Sequence, residues 1–330
     1  MTKNFQVVGI GNAIVDVLSR VEEDFLTRLG VQKSVMQLIT AERAIELYDN
    51  MGPAKEISGG SAANTIAGIA ALGMRTAYVG KVKDDQLGAI FAHDIRAQGA
   101  VYETPKAPKT AAAETGRCMV LVTPDSERSM NTYLGVSEHL TADDIDTAIM
   151  ADTDWLYLEG YRFDGPESHA AFAKAISACK SAGGKVSITL SDPFCVERHR
   201  DAFLSMIRAD VDLLFCNEHE LKSLYETDDL GIAMALVTKD VDITACTVGE
   251  KGAYVLQGED EFYAPAEKTH VVDVTGAGDL FAAGFLYGLA HERDLGHCAQ
   301  LGNIAAAEVI SHIGARPEAN LLELFAAQSL

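Results

Sequence analysis

Asp273 and Asp279 bracket a turn of small residues in the stretch VVDVTGAGDLFAAGF, Val271 to Phe285. An apolar, β-like run ends at Asp273. Gly276, Ala277 and Gly278 form the turn, and Asp279 stands immediately before a run apolar enough to be a buried helix. A strand that enters such a turn and leaves as a helix aims several backbone N–H groups at one point, where the helix dipole also favours an anion. Glycine permits the positive φ and close approach that such a nest requires. Asp279 then has two readings. An isolated Asp there is usually a helix cap. A fixed carboxylate beside an anion hole, however, repels the anion. The pairing makes chemical sense if the carboxylate takes a proton from a nucleophile attacking that anion. Phosphoryl transfer to a hydroxyl needs both parts: donors that stabilise charge on the moving group, and a base that orients the alcohol.

Other stretches offer binding groups, each with a plainer alternative. In VDLLFCNEHELKSL a strand ends at Cys216, and Asn217 with Glu220 have the N-x-x-E spacing of a capping box, which alone explains them. The same pair at a strand's carboxyl end could hold Mg²⁺ through its waters. In SGGSAANT, Gly59 and Gly60 precede Ser61, read as an N-cap, and Asn64, whose amide can bond two hydroxyls; an ordinary glycine turn fits equally well. Asp16 interrupts an apolar run in GNAIVDV and needs partners, either sugar hydroxyls or a basic side chain. The turn TVGEKGA, Thr247 to Ala253, reads as a phosphate-contacting turn or a hairpin turn. Arg128 sits at the turn of a second hairpin, where most arginines are solvated surface.

The elements that would position these groups alternate between strand-like and helix-like runs for most of the chain, which predicts a mostly parallel sheet with helices on both faces. Two β-rich pieces, at about 14–39 and 101–135, leave no room for crossover helices. They predict a small β-sheet lid inserted into one α/β domain spanning 1–330. The second contains a hairpin with a turn near TPDSER. Gly284 and Gly288 weaken the helix after Asp279 unless another element packs closely on that face.

With 330 residues, 48% hydrophobic and 23% charged, the chain can bury a large core without staples. Its formal net charge of −21 opposes nucleic acid and anionic membrane surfaces as partners. A phosphorylated ligand must therefore be held locally, by N–H groups, a few basic side chains or a divalent ion. The six cysteines are scattered, without a C-x-x-C pair, and read as buried free thiols; Cys195 and His199 are too few for a zinc site. GIGNAI lacks the third glycine of a dinucleotide fingerprint, and neither GKV carries the Ser or Thr of a P-loop. No signal peptide or membrane span is evident, so a cytoplasmic location is expected.

In this order the motifs resemble the ribokinase/phosphofructokinase-B family of sugar and nucleoside kinases. DVTGAGD is similar to its C-terminal signature, GGSAAN to its Gly-Gly region, NEHE to its N-x-x-E motif and TVGEKGA to its phosphate-side turn. The similarity runs from Gly9 to ISHIGARP and is greatest to the adenosine kinase subgroup, in GNAIVDV, LEGY, LSDPF and LLFCNEHE. It departs at Val274, where polar residues are common. The resemblance implies a ribokinase-like three-layer α/β/α fold and phosphoryl transfer from ATP with Mg²⁺ to the primary hydroxyl of a nucleoside, adenosine foremost. A free-sugar kinase is the alternative, and a non-catalytic nucleoside or sugar sensor a second one.

The resemblance also implies roles. Asp279 would be the base, with Gly276, Ala277 and Gly278 as the anion hole and Arg128 closing from the lid onto the phosphates. Asn12, Asp16, Gly59, Gly60 and Asn64 would bind the acceptor. Asn217, Glu220, Thr247, Gly249 and Gly252 would serve ATP and its Mg²⁺, with Asn303 near the adenine. The loop at Asp273 would accept a monovalent cation such as K⁺. Tyr161 or Phe163 would stack on a nucleobase unless they belong to the core. A monomer or homodimer is expected.

Overall fold

The computed structural model describes residues 3–125 and 127–328. Strand β1 (Phe5–Ile10) is the central strand of the chain's N-terminal half, and its side chains alternate as a strand's must. Val7 enters one core, while Val8 and Ile10 enter the other. It leads directly into β2 (Ile14–Arg20), the first strand of a second sheet, with β3 (Met36–Leu38) and β4 (Lys55–Gly59) following in that sheet. The chain returns to the main sheet in β5 (Thr76–Val79) and leaves again in β6 (Thr115–Val122) and β7 (Arg128–Gly135). It then stays in the main sheet: β8 (Thr153–Glu159), β9 (Lys185–Thr189), β10 (Leu213–Asn217), β11 (Ile243–Thr247), β12 (Gly252–Gln257) and β13 (Asp260–Pro265).

The eight-stranded sheet has the order β13-β12-β11-β10-β9-β8-β1-β5, parallel except for the antiparallel β11-β12-β13 edge. Helices cover both faces, as the alternation of elements predicts. The Ser61–Ala71, Ala277–Ala290 and Leu295–Val309 helices bury one face, and the Ser168–Ser181, Pro193–Asp210 and Glu218–Leu224 helices the other. A Cβ on Gly284 would lie 2.4 Å from the Leu301 carbonyl oxygen, and one on Gly288 would lie 2.8 Å from the Cys298 sulfur. The glycines of the Ala277–Ala290 helix are therefore the close-packing surface expected of them. All six cysteines are free and buried.

The second sheet, ordered β3-β7-β6-β2-β4, is the expected small sheet. β6 and β7 form its antiparallel hairpin; Ser126, within that turn, lies outside the described residues. Three details differ from the sequence reading. β4 joins the sheet from a polar stretch with no alternating pattern. Glu23–Arg28 is a helix inside the segment read as β-like. Residues 101–114 run beside the main sheet, where Val101 bridges Ala77 and Ala107 bridges Lys83. On β2, Ile14, Asp16 and Leu18 share one face by the two-residue repeat, and that face looks onto the carboxyl ends of the main-sheet strands.

Candidate active site

A cavity of about 410 Å³ lies between the carboxyl ends of the parallel strands and the small sheet. Asn12, Asp16, Gly60, Asn64, Arg128, Asn217, Glu220, Thr247 and Gly276 to Asp279 all line it. Residues up to 267 positions apart in sequence thus meet at one place, because most follow the end of a strand or begin a helix, while Asp16 and Arg128 come from strands of the small sheet. Gly59, Gly249, Gly252, Asp273 and Asn303 do not line it.

Gly276 is left-handed, with φ 79°, and caps the Ala277–Ala290 helix; a Cβ on it would strike Ala315 at 2.7 Å. The N–H of Ala277 donates to the Val274 carbonyl at 3.3 Å, and the N–H groups of Gly278 and Asp279 that follow it in the first turn have no intrahelical acceptor. A Cβ on Gly278 would meet no protein atom within 4 Å, so the space in front of the turn is open. An anionic group fits this cradle.

Asp279 is in the first turn, half-buried, and both of its oxygens are held. Ser61 Oγ donates to Oδ1 at 2.6 Å, and Asn64 Nδ2 donates to Oδ2 at 2.9 Å. Ser61 is thus not the N-cap. Gly60, at φ 98°, takes that place and frees the hydroxyl for Asp279. Burial pushes the Asp279 carboxyl up to about 6, against the bonds from Ser61 and Asn64 and the charge of Arg316. Asp16 rises to about 7, chiefly by burial and further by Asp279, while Arg316 and Arg128 oppose the rise. Gly59 contributes by its lack of a side chain, since a Cβ there would lie 2.2 Å from the Asp16 carboxyl carbon.

The Asn217–Glu220 capping box is fully formed. Asn217 Oδ1 accepts from the N–H of Glu220 at 2.9 Å, and Glu220 Oε2 accepts from the N–H of Asn217 at 2.9 Å. Asn217 Nδ2 donates to the other Glu220 oxygen at 2.6 Å. Each Glu220 oxygen accepts one such bond and keeps capacity for another, and the residue faces the cavity. Burial raises it to about 7, so a nearby cation would favour its charged form. This donor set fits Mg²⁺ held through water.

Arg128 is buried, contrary to a solvated lid turn, and its guanidinium bonds Asp273 and the Thr275 hydroxyl. Asp273 also accepts from the N–H groups of Thr275 and Gly314, each at 2.7 Å. Its Oδ2 takes two of these contacts and its Oδ1 one, and the guanidinium alongside balances its charge. Asn303 is likewise committed to the fold: its Nδ2 donates to the Ala264 and Pro265 carbonyls at 3.0 Å. Gly252, at φ 112°, is required by the backbone, a Cβ there lying 2.1 Å from the Ala264 oxygen. Gly249 has φ 60° in the turn after Thr247. Phe163 is core, stacked 4.3 Å from Phe203, whereas Tyr161 lines the cavity.

Asn12 is less available than expected. Its Nδ2 donates to Glu159, and its Oδ1 accepts from Ser137 and Arg162. Glu159, fully buried, also accepts the N–H of Ala62 at 2.9 Å. Glu159, Arg162 and Arg316 are site supports that sequence reasoning missed. Their only signals were LEGY, which contains Glu159 and lies just before Arg162, and ISHIGARP, which contains Arg316, because the partners are distant in sequence. Among the described residues no three His, Cys, Asp or Glu side chains converge as metal ligands.

Residues 36–320 match the pfkB family of carbohydrate kinases. The chain belongs to this family. A probable sugar kinase from Rhizobium etli CFN 42 shares its structure with a TM-score of 0.94 at 47% identity, over 99% of each chain. An adenosine kinase from Sinorhizobium meliloti does so with a TM-score of 0.94 at 45% identity, over 99% of this chain and 100% of its own. An ATP-dependent ribose-1-phosphate kinase from Halopiger xanaduensis is 30% identical over 275 residues, 82% of this chain and 87% of its own. The protein is a sugar or nucleoside kinase of the pfkB family, on the ribokinase-like fold. No helix of the described residues is long and apolar enough to cross a membrane.

The buried Asp16 carboxyl carries a stability cost. Because the folded-state pKa of Asp16 lies above its unfolded value, protons favour the folded state. This stability is present below about pH 4 and is lost as pH rises through about 7. Asp16→Asn is expected to raise the midpoint of thermal unfolding at pH 8 by roughly 2–4 °C, with a smaller gain at pH 5. A drop at pH 8 would show that Asp16 holds the fold together instead.

Proposed function

We propose that this kinase transfers the γ-phosphoryl group of ATP to the 5′-hydroxyl of adenosine. The observation that carries the reaction is Asp279, held by Ser61 and Asn64 at the mouth of an open anion cradle. ATP with Mg²⁺ supplies the phosphoryl group and neutralises its charge. Asp279 takes the proton of the acceptor hydroxyl as it attacks, and its two neutral donors keep the carboxylate aimed there. The N–H groups of the Gly276–Asp279 turn receive charge that grows on the transferred group. Arg128 reaches Thr275 beside that turn from the lid, with its charge balanced by Asp273. Asp16 and Asn64 lie on the acceptor side, and Asn217 and Glu220 across the cavity beside Thr247.

The acceptor reading rests on the lid. Ile14, Met36, Leu38, Met130 and Leu134 give this side of the cavity an apolar roof. Such a surface suits the face of a nucleobase, whereas a free sugar offers hydroxyls that it would leave unpaired. The similarity to the Sinorhizobium meliloti adenosine kinase supports the same reading. A free-sugar kinase is the rival, favoured by the name of the Rhizobium etli relative.

An ATP-consumption assay across nucleosides and sugars is expected to give adenosine a kcat/KM at least ~10²-fold above ribose or fructose, and Asp279→Asn to lower kcat by about 10²–10⁴-fold while ATP still binds. Preferential turnover of a free sugar would replace the acceptor. Near-normal turnover by Asp279→Asn would remove the base, and no turnover with any acceptor would point to a sensor. Glu220→Gln preserves the capping box, since Gln also serves at that position. It is expected to keep its thermal stability within about 3 °C and to need on the order of tenfold more Mg²⁺ for half-maximal rate. An unchanged Mg²⁺ requirement would leave Glu220 as a cap alone.

A further inference from the structure

Arg316 stands behind the cavity wall, not in its lining, on the loop that follows the Leu295–Val309 helix. That loop braces the anion cradle from the rear: the N–H of Gly314 bonds Asp273 at 2.7 Å, and Ala315 packs on Gly276. The guanidinium reaches forward in two directions. Nη2 donates to the Ser58 carbonyl at 2.9 Å and to Ser58 Oγ at 3.1 Å, while Nη1 donates to the Ala63 carbonyl.

Both contacts lie against a carboxylate of the site. Ser58 precedes Gly59, the residue whose Cα rests on the Asp16 carboxyl group. Ala63 lies between Ser61 and Asn64, the two residues that hold Asp279. Asp16 and Asp279 line the same cavity, where the charge of Asp279 raises the Asp16 carboxyl, and Arg316 lies between their supports. Arg128 is also felt by Asp16, but its guanidinium is paired with Asp273. Arg316 in turn faces Asp16, Asp279, Tyr78 and Asp94, the last bonded to the N–H of Ser58. Glu159 and Glu220, from β8 and the Glu218–Leu224 helix, add further negative charge around Asp279.

We propose that Arg316 is a positioning residue of the transfer site, bracing the first turn that holds Asp279 against the end of β4 and supplying the fixed positive charge that Asp16 and Asp279 share. Its removal takes away the positive charge that lowers both carboxyls, so that the base is ionised only at higher pH.

The test is the pH dependence of kcat/KM for adenosine in Arg316→Met and Arg316→Lys. In Arg316→Met the acid limb is expected to move up by about one pH unit or more, because an opposite charge within reach of a carboxylate is lost. The deficit, approaching about tenfold near pH 5 and about twofold near pH 7, closes toward wild type near pH 9. Arg316→Lys keeps the charge and should hold the limb within about half a pH unit, although an ammonium cannot span Ser58 and Ala63 as the planar fork does. A folded Arg316→Met with an unmoved limb, or a loss equal at every pH in both variants, would reduce Arg316 to a structural tie. Should Arg316→Met not fold, Arg316→Gln retains two donors without charge and is held to the same expected shift. The inference rests on Asp279 as the base: turnover by Asp279→Asn would end both, whereas an inactive Asp279→Asn with an unmoved limb in Arg316→Met ends this one alone.

Discussion

The bonds from Ser61 and Asn64 to the two oxygens of Asp279 fix a negative charge at the positive end of a helix, beside a cradle built for another negative charge. Much of the surrounding structure serves that arrangement. The carboxylate stays where it is because neutral donors on a second helix hold it. That helix is anchored in turn through the N–H of Ala62 to Glu159 and the carbonyl of Ala63 to Arg316. The cradle opens because Gly276 adopts a left-handed conformation against Ala315. In a chain with net charge −21, binding of the proposed polyphosphate would then depend on local dipoles and a divalent ion.

The small sheet completes the site because its strands start and end at the cavity rim. β2 leaves from Asn12, β4 returns through Gly60, and β7 begins at Arg128, so the lid's register and the site's geometry are set by the same residues. At Asn217 and Glu220 the cap and the proposed metal role need not compete. The capping box orients the carboxylate, and the oriented carboxylate faces the cavity with acceptor capacity left over.

What the sequence made legible was local. The strand–turn–helix around Asp279, the Asn217–Glu220 box and the helix-packing role of Gly284 and Gly288 depend on residues a few positions apart, and their types alone specify them. The alternation of elements gave the sheet and its layers for the same reason. Roles that depend on contacts across the chain were not legible. Arg316 bonds residues more than 250 positions away, and Glu159 reaches back to Asn12 across 147 positions. Arg128 looks like a surface residue in DSERSMNTY because the Asp273 that buries it lies far along the chain. β4 went unseen because a short, polar edge strand lacks the alternation by which strands are read. The resemblance assigns Asn303 and Asn12 to ligands, yet their amides are drawn into carbonyls and a buried Glu–Arg network.

The most direct test of the central arrangement is a double-mutant cycle on the single-turnover rate with saturating ATP and adenosine, using Asn64→Ala, Asp279→Asn and both together. If Asn64 acts on the chemical step by aiming Asp279, the double variant is no slower than Asp279→Asn alone, within about twofold, and the two losses are strongly non-additive. Losses that multiply in the double variant would show that the two residues act independently and would contradict a carboxylate held in place for proton transfer.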